Sequence, residues 1–156
     1  MGRLARAGGP SGGSNYPRGR GDPRDAARYW LAVKTIVLVA RDGQVVCERC
    51  ELAEGFFDRG RGLLGRAGLA RGQGMLIRPT WSVHTAFMRF AIDAVFLDHD
   101  MRVVKIAADL KPWRAAGARG SKSVLEIAAG EAARRGLSVG DRLVAGSSLA
   151  TAATPS

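Results

Sequence analysis

The chain has 156 residues, a formal net charge of +10 from 24 Lys and Arg against 14 Asp and Glu, and only two cysteines. A chain of this length builds one core that is stable without metal or disulfides, and two cysteines exclude a disulfide-knitted secreted scaffold. The positive balance favours polyanions in general without specifying one, and it suits an arginine-rich surface with no partner equally well.

Residues 1–28 are rich in Gly, Pro, Ser and Arg and nearly devoid of large apolar side chains. Such a segment cannot bury enough surface to offset the entropy of ordering it, so a disordered basic tail is expected, with weak non-specific polyanion contact as its one functional alternative. The start MGRLARAGG lacks the apolar stretch of a signal peptide, and the run 29–40 is interrupted by Lys34 and too short to span a bilayer. A cytoplasmic protein is therefore expected. A single domain over 29–146 and a loose Ala/Thr/Ser tail over 147–156 complete the division.

TIVLVA, the turn RDG at 41–43 and QVVCERCELA read as a β-hairpin. Cys47 and Cys50 form its single CxxC, on extended backbone that breaks or bulges at Cys50. Glu48 lies between the thiols and Glu51 follows them. Acidic neighbours disfavour thiolate, which points to structural thiols over a redox pair, and a zinc site would need two further ligands from elsewhere. AEGFFDRGRGLLGRAG carries Phe56, Gly60 and Leu63 or Leu64 at helical spacing, giving a short helix over 56–65. The arginines around it are either solvated or, for Arg59 and Arg66, available to an internal carboxylate.

Met75 to Ile77 reads as a brief buried strand stopped by Arg78-Pro79. Trp81 to Phe90 mixes aromatic and polar residues without a clean period, as a tight loop or bulged strand would. Ile92 to Leu97 is the clearest strand, and Asp93 inside it shares a face with Val95 and Leu97, so its carboxylate must be paired or hydrogen-bonded. DHDM at 98–101 turns the chain, with His99 exposed, and RVVKIAA returns it. DLKPWRAAGARG reads as a loop, with Trp113-Arg114 placed to cover the mouth of a cavity. SVLEIA gives a strand with Leu125 and Ile127 on one face and Glu126 on the other. A two-turn helix over 129–135 closes on Gly136, and LSVGDRLV turns into a last strand.

The blocks DRGRGLLGR at 58–66, GML at 74–76, SVHTAFMRFAID at 82–93, VFLD at 95–98, SVLEIAAG at 123–130 and GLSVGD at 136–141 resemble, in order and content, the DUF192 family of small bacterial and archaeal proteins. The resemblance implies a mostly β, compact barrel- or sandwich-like single domain with two short helices, and no established activity. Ala91 stands where relatives usually have proline before the Ile-Asp pair, and Gly60 where they commonly have an apolar residue.

Arg66, His84, Thr85, Met88, Asp93 and Glu126 come from separate segments, and together they suggest a small cavity. His84 and Asp93 would orient a polar ligand or a peptide there, with Met88 and aromatic neighbours as its apolar wall. An imidazole beside a carboxylate could serve as general base, yet no activated nucleophile accompanies it, so an enzyme is the lesser expectation. One histidine and one aspartate make a thin metal-ligand set, and no cofactor is expected. The alternative is a structural or adaptor protein in which these same groups satisfy one another: His84 on a carbonyl, Thr85 on a bulge, Asp93 on an arginine and Met88 in the core.

Overall fold

The computed structural model describes residues 34–54 and 63–146. Nine strands follow in chain order: β1 (Thr35–Ala40), β2 (Val45–Ala53), β3 (Gln73–Ile77), β4 (Ser82–His84), β5 (Ile92–Leu97), β6 (Val103–Leu110), β7 (Ala115–Gly117), β8 (Ser123–Ala128) and β9 (Leu143–Gly146). The helix α1 (Glu131–Arg134) sits between β8 and β9. Seven strands form one open sheet in the order β6-β5-β8-β3-β2-β1-β9, and β4 and β7 form a separate two-stranded ribbon. All neighbours in the large sheet are antiparallel except β2 and β3, which run parallel and therefore need the long connection through residues 54–72.

β5 is buried at every position and β8 at all but its last, because both lie inside the sheet and are covered on both faces. The register places Glu51, Met75, Glu126 and Ala94 in one cross-strand row on one face. Their chain neighbours Cys50, Gly74, Ile127 and Asp93 make the corresponding row on the other. The first face packs under Leu63, Val83 and Met88, with Ile77, Ile92 and Phe96. The second holds the largest cluster, in which Leu76, Val95, Leu125 and Ile127 meet Leu38, Ala132, Leu137 and Leu143. Two layers over one sheet give a sandwich-like domain of mostly β structure.

Most expected elements are present, and the differences have local causes. The break foreseen at Cys50 is a bulge between Cys47 and Cys50, where the single residue Val37 of β1 faces Glu48 and Arg49 of β2, and the strand runs on to Ala53. DLKPWRAAGARG is not loop throughout, since Ala115–Gly117 pairs with Ser82–His84. The second expected helix is the four-residue α1, ended by Gly136 at φ 62°. The expected helix over 56–65 falls largely outside the described residues, as do the two terminal tails, while Leu63 to Gly65 form a turn. No helix among the described residues is long and apolar enough to cross a membrane.

Candidate functional site

Thr85 is the residue through which the loops over the first face are joined. It is fully buried, and its Oγ1 donates to the Lys111 carbonyl at 2.6 Å and accepts from the Arg114 amide at 2.9 Å. Its backbone N–H donates to the Arg114 carbonyl, and its carbonyl accepts from the amides of Met88 and Trp113. One side chain and one peptide unit thus clamp the turn 85–88 to the turn 111–114. Two aromatics are presented by this clamp: Phe87 and Trp113, 72% and 60% exposed, pack edge to face with ring centroids 4.6 Å apart. Both have left-handed backbone, at φ 63° and 61°, a conformation that bulky L residues avoid and that the surrounding hydrogen bonds must hold in place.

Beside the clamp, the β4–β7 ribbon carries exposed His84 opposite Ala115. At the other end of the ribbon Trp81 is 62% exposed and lies over Gly117, where a Cβ would come within 3.3 Å of the indole. Arg89 and Arg114 are exposed on the same two loops. The nearby carboxylate of Asp109 is already paired with Lys111 at 2.6 Å. An apolar, net-positive surface results, with Val83 beneath it packed on Phe96 and Val124.

Beneath the neighbouring loop lies a buried charged cluster. Arg66 donates from Nη1 and Nη2 to both carboxylate oxygens of Glu51, at 3.1 and 2.5 Å, a bidentate pair that is nearly excluded from solvent. Two strand spacings away in the same row sits Glu126, about 10 Å from Glu51 along the sheet. Its Oε2 is buried without a hydrogen-bond partner. Burial pushes its carboxyl from the ordinary 4.5 up to about 7, against the opposing charge of Arg66. Met75 fills the row between the two carboxylates, and Met88 is packed in the same cluster with Ile77 and Ile92.

The structure places the residues expected to share one cavity on both faces of the sheet. Asp93 lies on the opposite face from Glu126, Met88 and the ribbon that carries His84, because adjacent residues of a strand point to opposite sides. Both its oxygens are engaged: Oδ2 accepts from the Ala132 amide at 2.9 Å and Oδ1 from the Asp109 amide at 2.9 Å. The N-cap position of α1 is Gly130, with no side-chain cap, so the capping acceptor comes from β5 instead. The expected carboxylate–arginine contact is thus a carboxylate–backbone one. Asp93→Asn leaves one acceptor oxygen for two amides, the buried one of Ala132 and the part-buried one of Asp109. It is expected to cost about 1–3 kcal/mol in urea denaturation; an unchanged midpoint would show that the two bonds carry no net stability.

Cys47 and Cys50 are free, fully buried thiols on the second face, where the bulge brings both toward the core. Cys47 donates to the Gly72 carbonyl at 3.5 Å. The hydrogen bond with Cys47, with burial adding to it, holds the Cys50 thiol far above its ordinary range, as for packed rather than reactive cysteine. His99 is exposed in the β5–β6 turn, where Asp98, His99 and Asp100 have ligand-type atoms within 4.8 Å of one another. Asp98 Oδ1 there accepts the amides of Asp100 and Arg102 and so shapes the turn.

Phe87 and Glu51 were not identifiable as site residues from sequence. The only signals were a charged residue within an apolar strand and an aromatic beside the Thr85–Met88 turn, and neither spacing reveals the segment that meets it.

The DUF192 family model, described as an uncharacterized ACR, matches residues 37–145. A crystal structure of a protein of unknown function from Novosphingobium aromaticivorans superposes with a TM-score of 0.63 at 29% identity, over 72% of this chain and 84% of that one. A Sinorhizobium meliloti protein described as a proposed transcription regulator gives a TM-score of 0.65 at 26% identity, over 73% of this chain and 94% of that one. No curated protein matches the chain.

Proposed function

Because the chain belongs to the DUF192 family, whose description names no activity, we propose its function from its own surface: it is a binding domain for an extended peptide segment carrying apolar and acidic side chains. The observation that carries this reading is the exposed Phe87–Trp113 pair, two strained aromatics held out of the core by the Thr85 clamp. Exposed aromatics in a small domain cost solvation, and strained backbone costs about 1–2 kcal/mol per residue, so such a pair suits a surface that a partner covers.

The chemistry of the partner follows from what flanks the pair. β4 pairs with β7 alone among the described strands; on its outer edge the Thr80 hydroxyl holds the carbonyl and amide of Ser82, which leaves the main chain of His84 to bond an added segment. Trp81 and the Phe87–Trp113 pair bracket that edge as apolar anchors, while Arg89 and Arg114 supply the positive field for an acidic residue and His84 lines the edge between them. The reading keeps His84, Thr85 and Met88 in the binding region, as lining, clamp and support, and leaves Asp93 to the fold. Reducing cytoplasm is the setting we assign, which the two free thiols suit.

Tryptophan fluorescence titration with a set of short extended peptides, varying apolar and acidic positions, tests this. Binding should require both side-chain types and fall at least about tenfold in Phe87→Ala/Trp113→Ala. Equal affinity of that double variant would remove the aromatic pair from the site. Binding of a labelled oligonucleotide instead, weakening linearly in log salt, would replace the peptide with a nucleic-acid strand, the direction suggested by the Sinorhizobium relative's description.

A further inference from the structure

Beyond the other end of β6 from Trp113, the two edges of the sheet meet at an isolated bridge between Arg102 and Arg142. A recess of about 430 Å³ opens there, lined by Ala40, Arg41, Asp42, Arg102, Gly140, Asp141 and Arg142. Its size is within the range that small-molecule sites occupy. Three guanidinium groups and two carboxylates share it, and none forms an ion pair with another among the described residues.

Four of the five charged groups are instead held by the backbone. Arg102 Nη1 donates to the Gly140 carbonyl at 2.9 Å and Arg142 Nε to the Asp100 carbonyl at 3.0 Å, which positions both guanidinium groups while leaving their other N–H donors. Asp42 Oδ1 accepts from the Gln44 amide at 3.0 Å and Asp141 Oδ2 from the Ser138 amide at 2.7 Å, leaving one oxygen of each carboxylate. The Arg41 side chain makes no hydrogen bond or ion pair among the described residues. Opposite charges this close ordinarily pair with each other; kept apart by backbone anchors, they present donors and acceptors side by side.

We propose that this recess binds a small phosphorylated polyol, with the phosphate on Arg41, Arg102 and Arg142 and hydroxyl groups donating to Asp42 and Asp141. A multivalent anion alone would meet the two carboxylates, and a neutral polyol would leave three cations unanswered; a phosphate ester with free hydroxyls satisfies both. Because Arg102 and Arg142 stand on the two meeting edges of the sheet, the ligand also bridges them, and binding raises the unfolding temperature by linkage.

Thermal unfolding and calorimetric titration of the full chain with ribose 5-phosphate, inorganic phosphate and ribose test the proposal. Ribose 5-phosphate should raise the unfolding temperature and bind at least about tenfold more tightly than either fragment. Arg41→Gln, which disturbs no bond of the fold, should weaken ribose 5-phosphate and phosphate alike. Asp42→Asn keeps the turn-forming oxygen and should weaken ribose 5-phosphate while sparing phosphate. No stabilisation by ribose 5-phosphate, or stabilisation equal in wild type and Arg41→Gln, would overturn the site; equal binding of phosphate and ribose 5-phosphate would overturn the role of the carboxylates.

Discussion

Arg66→Ala is expected to lower the unfolding free energy by about 3–5 kcal/mol, the range for removing one partner of a buried ion pair. The cost comes from what remains: Glu51, buried on β2, loses both hydrogen bonds of its carboxylate, and Glu126 two strands away loses the one cation among the described residues that opposes its desolvation. Arg66→Met separates charge from packing, since it keeps most of the apolar stem and removes the guanidinium. Urea denaturation of the alanine and methionine variants should show similar losses near neutral pH, shrinking as acid protonates the two carboxyls. If methionine restores stability, or if the loss is the same at every pH, Arg66 acts by packing and the ionic account fails.

Glu126 gives the second large effect, through pH. Its folded carboxyl titrates at about 7 against an ordinary 4.5, so over that interval the native state holds a proton that the unfolded state has released. Unfolding free energy therefore falls as pH rises from 4.5 toward 7 and levels off above it, by up to about 3 kcal/mol for a shift of this size. Glu131 acts in the opposite sense: the hydrogen bond from Arg134 holds its carboxyl below the ordinary range, so its contribution is present above 4.5 and is lost as the solution becomes more acid. The informative quantity is the difference between wild type and Glu126→Gln at each pH. The glutamine variant should be more stable by about 1–3 kcal/mol at pH 8 and indistinguishable near pH 4. A constant difference across that range would mean that Glu126 does not titrate in the folded state.

These two expectations rest on a juxtaposition that no spacing in the chain records. Arg66 was legible as a member of the suspected cavity and, with Arg59, as one of two arginines available to an internal carboxylate, and Glu51 only as the acidic neighbour of a CxxC. They meet because β2 and β3 pair in parallel, which forces the connection between them back across the sheet and lays Arg66 over the row holding Glu51 and Glu126. Asp93 illustrates the same limit from the other side. Alternation placed it correctly as a buried carboxylate that needs partners. Its partners are two backbone amides, 16 and 39 residues further along the chain, and amides carry no side-chain signature to search for.

What the sequence determined by itself is the local part. β-branched runs and period-two alternation mark β1, β2, β5, β6 and β8, Arg-Asp-Gly and Asp-His-Asp mark the turns between them, and Gly136 marks the end of α1, because each depends on side-chain sterics within a few residues. The ordered family blocks likewise named the family whose model matches residues 37–145. Tertiary structure alone decided which charged groups are satisfied inside the fold and which are left on its surface. His84, exposed on its ribbon, and Asp93, spent on the backbone behind the sheet, are separated by strand parity, while Phe87 and Trp113, far apart in sequence, are joined through Thr85. The reason is physical: a hydrogen bond or a ring contact is won wherever two segments happen to be brought together, and that is set by strand order and register across the whole sheet.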